Sequence, residues 1–231
     1  MRGHLGIHVD QKTEKLRQTL RTPRAAAIAG ILFAVLSITS QSLIWFSIPA
    51  DPSTPAAHII ANSKTITFAL NLLPFAGIAF LWFIGVVRDR LGEMEDRFFA
   101  TVFLGSGLLY VAMIFVAAAI AGALLGLIAA GSIDLSAPGI YPLSQATVYR
   151  IMRVYAARMS AVFMISGSTI FVRTRIVPRW VAVVGYVAAV ALLVSVGSVR
   201  WIVTVFPLWV ILISGCILLQ DRQAWMQQVE S

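Results

Sequence analysis

Between Phe98 and Ala130 the chain runs for thirty-three residues without one charged side chain. A helix needs ~20 apolar residues to cross ~30 Å of hydrocarbon. A helix this long and this apolar must be buried in a large core or dissolved in lipid. With 231 residues, 59% hydrophobic and only 12% charged, the chain has too little polar surface to wrap such a helix in water. Lipid tails remove that difficulty. Similar runs recur on both sides, joined by short charged or Pro/Gly-rich turns, so the fold class is all-α: a polytopic transmembrane helical bundle.

Six spans are expected, at 25–46, 65–87, 98–130, 147–172, 180–197 and 201–220. A basic lead (1–24) precedes this transmembrane domain (25–220), and a short tail (221–231) follows it. Thr22-Pro23 reads as the start of the first span, with Pro in the first turn. Ser37, Ser40 and Gln41 share one side of that span and can bond to neighbouring helices. Pro74 should bend the second span. Ala118, Gly122, Gly126 and Ala130 form a stripe of small residues on the third, expected to pack against another helix of the same chain.

Charge sets the expected orientation. Six spans put both termini on one side, which collects thirteen Lys/Arg against five on the other. The positive-inside rule makes the richer side cytoplasmic, in a cell membrane of bacterial type. The net charge of +8 is spread along the ends of apolar runs, so it anchors spans and does not suggest nucleic acid. The expected partners are the bilayer, anionic lipid at the basic lead, and a protein partner or second copy.

Catalytic signatures are missing from this pattern. His4, His8 and His58 all fall outside the expected spans, which excludes a bis-histidine haem between helices. No Lys, Asp or Glu lies mid-span to hold a retinal or relay protons. The one cysteine, Cys216, sits in an apolar run as a small packing residue. No cofactor or metal is expected, and the reading is a non-enzymatic accessory or interaction subunit.

Two constellations stand out. Arg150, Arg153 and Arg158 occupy the outer part of the fourth span. At 100° per residue, Arg153 lies about 60° to one side of Arg150 and Arg158 about 80° to the other, so they share a broad face. Guanidinium forks suit carboxylate, phosphate or lipid headgroups, which makes these three the candidate ligand-binding residues of a small transporter or binder for an anionic or lipidic ligand. The plainer alternative places Arg150 and Arg153 among headgroups, with Arg158 snorkelling towards them or pairing with Asp134 or Asp51.

The second lies between spans two and three. Gly85, Asp89, Arg90 and Gly92 match the G-x-x-x-D-[RK]-x-G signature, and this loop resembles that of major facilitator transporters. The resemblance implies close helix contact at the glycine and a charge-assisted gate on the cytoplasmic side. Glu93 and Met94 depart from it where that family has a basic pair. More broadly, FLWFIGVVRDRLGEMEDRFFATVFLGSGLLY and the layout of residues 25–130 resemble small bacterial integral membrane proteins of unknown function.

Overall fold

The computed structural model describes the backbone of residues 4–47, 60–91, 97–131, 139–174, 177–194 and 200–229. Within these it describes the side chains of 24–47, 60–88, 98–131, 139, 141–174, 177–194 and 202–220. The helices in order are α1 (His4–Ser47), α2 (Ser63–Leu91), α3 (Arg97–Ala129), α4 (Ile140–Arg150), α5 (Ala157–Thr174), α6 (Arg179–Val194) and α7 (Val205–Val229). A π-helical segment, Ile151–Ala156, joins α4 to α5, and a 3₁₀ turn, Arg200–Thr204, leads into α7. Apolar helices satisfy every backbone group internally, the condition for crossing lipid.

Five of these stretches are long and apolar enough to span a membrane: Arg24–Ser47, Ser63–Arg88, Phe98–Ala129, Tyr141–Thr174 and Ile202–Gln220. Helix α6 has 16 residues, a rise of ~24 Å against the ~30 Å of hydrocarbon. The six expected spans therefore become five of membrane length and one shorter apolar helix. The expected end of that span, 195–197, lies outside the described residues. The starts of α1 and α7 also differ from expectation. Helix α1 starts at His4 and runs unbroken through Thr22-Pro23, because the Leu, Lys, Arg, Gln and Glu of the lead are good helix formers. Helix α7 starts only at Val205, after the 3₁₀ turn. Pro207 then falls in its first turn, where a missing N–H breaks no bond.

Contact register fixes the directions. Phe33 meets Phe80, a Cβ on Gly30 would meet Phe83, and Ser40 bonds to Ala69, so α1 and α2 are antiparallel. Opposed pairs Phe80–Tyr110 and Gly107–Ile84 set α3 antiparallel to α2. The core is a cluster of aromatic rings drawn from five helices. Phe80 lies 4.6 Å from Phe33, 5.1 Å from Phe163 and 5.4 Å from Phe206, ring centre to ring centre. Tyr110 closes the set, 4.7 Å from Phe206 and edge-on to it. Tilted and edge-to-face pairs at these spacings are favourable beyond their area.

Between helices the polar glue is sparse. Ser40 Oγ donates to the Ala69 carbonyl at 2.7 Å, across α1 and α2. Ser37 Oγ and Gln41 Oε1 are buried and have no hydrogen-bond partner among the described residues, so only one of the three expected polar positions makes such a bond. Ser40→Ala should lower stability by ~0.6 kcal/mol, the usual worth of such a bond in a membrane. A thermal melt in mild detergent reads it, and a loss several times larger would mean that Ser40 also positions the helices.

The small-residue stripe on α3 does not pack as expected. Among the described residues a Cβ built on Gly122 or Gly126 meets nothing within 4 Å, and both glycines are exposed. Ala118 alone of the stripe's described members touches the core. Among the described residues the side of α3 that carries Gly122 and Gly126 is exposed, while Ala121, Leu124, Leu125 and Ile128 on its other side are half-buried.

Candidate functional site

The fourth membrane-length stretch carries the charge that most needs explaining. Its helix begins at Ile140, beyond Gly139 at φ 148°, so Pro142 falls in the first turn. That is seven residues before the expected start at Thr147, and it places the arginines well inside a helix. Thr147 Oγ1 bonds back to the Leu143 carbonyl at 2.8 Å, a turn-internal bond that keeps this polar residue helical.

The π segment falls between Arg150 and Arg158. Such a turn amounts to one extra residue in an α-helix. It delays everything after it by about 100°, the advance of one residue. A straight helix would set Arg158 some 80° from Arg150; with the delay, the two come within about 20° of each other. Burial agrees: Arg150 and Arg158 are exposed, whereas Arg153 is half-buried. The delay thus draws Arg158 in beside Arg150, and what sets Arg153 apart from the two is its own contact, not its angle. Arg153 is turned aside onto Tyr149, with its guanidinium carbon 4.3 Å from the ring centre and Nη1 donating to the Tyr149 hydroxyl at 2.7 Å.

Depth follows from the helix rise. Arg173, at the other end of α5, stacks on Phe99 near the start of α3, its guanidinium 4.9 Å from the ring centre. With Arg173 taken as one edge of a ~30 Å hydrocarbon layer and the helix upright in it, fifteen residues at 1.5 Å each place Arg158 ~23 Å from that edge and ~7 Å inside the other. Arg150 is roughly 10–12 Å further on and reaches the headgroup zone. Side chains on a helix lean towards its N-terminus, which here is the α4 end, so Arg158 leans towards the nearer membrane surface. Tyr155, 56% exposed, stands between the two arginines in sequence. Tyr149 and Tyr155 were not singled out from sequence; the legible signal was the spacing of four between Tyr149 and Arg153, which makes them neighbours on a helix.

The loop signature is only partly within the structure. Gly85 lies in α2, and among the described residues a Cβ there would meet nothing within 4 Å. Asp89 and Arg90 belong to the last turn of α2, and Gly92 lies outside the described residues. Asp51, His58 and Asp134 also lie outside them. Among the described residues no group of three or more His, Cys, Asp or Glu comes together. No family model, curated protein or solved structure matches this chain.

Proposed function

We propose that this multi-pass membrane protein works by binding, as a non-enzymatic accessory component, and that Arg150 and Arg158 form its binding face for an anionic ligand. The observation that carries the reading is the π segment that sets these two exposed arginines on one side of the helix. Turns of this kind recur at functional sites. A guanidinium offers a planar fork of donors and no acceptor, a chemistry suited to holding an anion in place. That favours binding over catalysis. The charge count along the sequence supports termini in the cytoplasm and an arginine face directed to the outer leaflet.

The test is thermal stability of the purified protein against a panel of carboxylates, phosphates and lipids, for wild type and Arg158→Leu. The reading expects one anionic class to raise the melting midpoint of wild type by several degrees and to leave the variant unmoved. Equal shifts in both proteins, or none in either, would remove it.

A further inference from the structure

We infer that the anion held by Arg150 and Arg158 is a phosphate group, brought to this depth by a glycerophospholipid of net negative charge in the leaflet at the α4 end. The inference rests on the binding reading above and names its ligand. Three features of the helix select it.

The first is depth. With Arg173 at the opposite hydrocarbon edge, Arg158 starts ~7 Å inside the near one and leans towards the surface, while Arg150 starts in the headgroup zone. The group between them sits at the boundary where a phospholipid carries its phosphate. A soluble carboxylate would have to leave water to reach Arg158, whereas the bilayer delivers phosphate there already. The second is geometry. Guanidinium forks donate paired, charge-assisted bonds to phosphate oxygens, and two forks on one face, both leaning towards the surface, suit one phosphorylated headgroup. The Tyr155 hydroxyl, exposed on the turn between them, adds a neutral donor. The third is selectivity. Zwitterionic headgroups carry their own cation, which competes with the arginines, so two guanidinium groups favour a headgroup without one. Arg153, committed to Tyr149, holds an aromatic residue of the same turn in place.

Native mass spectrometry of the full chain, released from detergent micelles doped with phosphatidylglycerol or phosphatidylcholine, counts retained lipids directly. Melting midpoints in the same lipids, and in inorganic phosphate and a fatty-acid carboxylate, run alongside. Wild type should retain phosphatidylglycerol over phosphatidylcholine and melt higher with it. Arg158→Gln and Arg150→Gln should each weaken retention about tenfold, the worth of one charged hydrogen bond. Arg158→Lys should recover part of it, and Arg173→Gln, at the opposite end, should change nothing. Size-exclusion profiles matching wild type show that the variants fold.

A shift with inorganic phosphate equal to that with lipid would keep the phosphate and overturn the lipid as its source. Stabilisation by the fatty-acid carboxylate alone, lost in Arg158→Gln, would overturn the phosphate inference and leave the binding face standing. Equal retention of the two lipids by wild type, or unchanged retention by Arg158→Gln, would overturn the inference as well. No response of wild type to any of the four would remove the inference and the binding face together.

Discussion

Phe80→Ala should destabilise the bundle by about 3 kcal/mol, the lower end of what a buried Phe costs on truncation. Phe80 has no exposed surface, and its ring meets Phe33, Phe83, Tyr110, Phe163 and Phe206 at centre-to-centre distances of 4.6 to 6.2 Å. In a soluble protein part of the loss would come from transfer to water. Here the alternative surroundings of Phe80 are lipid, as apolar as the core, so most of the cost is the hole left behind and the dispersion contacts forfeited around it. Five helices line that hole, and none can close it without leaving its other neighbours. The comparison is Trp82→Ala, two residues away on the same helix, where the side chain is 70% exposed. Unfolding by a graded denaturing detergent should shift strongly for Phe80→Ala and little for Trp82→Ala. Equal shifts would mean that the aromatic cluster does not hold the bundle together.

That pair also shows what the sequence could carry. Span length and charge placement are written in one dimension, so the membrane class and most helix ends are legible from residues alone. The inward and outward faces are not, because lipid and core solvate the same side chains. Phe80 and Phe83 are fully buried while Phe75 is 62% exposed, and nothing in their surroundings along the chain separates them. The glycines repeat the lesson. Among the described residues the regularly spaced Gly122 and Gly126 face open space, whereas Gly30, Gly77, Gly107, Gly167 and Gly185 are the ones against which neighbouring side chains press. Spacing signals that a close approach is allowed, and only the fold decides where it is used. The π segment was hidden for a related reason. Ile151–Ala156 carries no Pro or Gly to mark a change of pitch, and reading it as a uniform helix put Arg158 about 80° from Arg150 instead of beside it.

Gly185→Leu should do comparable damage by the opposite route, about 3 kcal/mol or failure of α6 to dock at all. Gly185 is where α6 meets α5 and α7. A Cβ there would press into Ser168 Oγ, and it would lie 2.6 Å from Trp209 Nε1 and 3.2 Å from its Cε2. The serine hydroxyl can rotate away. The indole, stacked 6.4 Å from Phe206 and itself 3% exposed, has nowhere to go. Gly185→Ala should therefore cost about 1–2 kcal/mol, even though alanine in place of glycine favours an open helix by up to ~1 kcal/mol. Gly122→Ala, at an exposed position of α3, supplies that open reference and should be neutral or slightly stabilising. Ser168 Oγ and Trp209 Nε1 are both buried without a hydrogen-bond partner among the described residues. Removing the hydroxyl relieves one buried polar group, so Ser168→Ala should be neutral to stabilising, by up to about 1 kcal/mol. It should also recover part of the Gly185→Ala loss, which appears as non-additivity in the double mutant. If Gly185→Ala instead stabilised the protein as much as Gly122→Ala, α6 would not be seated on Trp209, and the bundle would hold it by its ends alone.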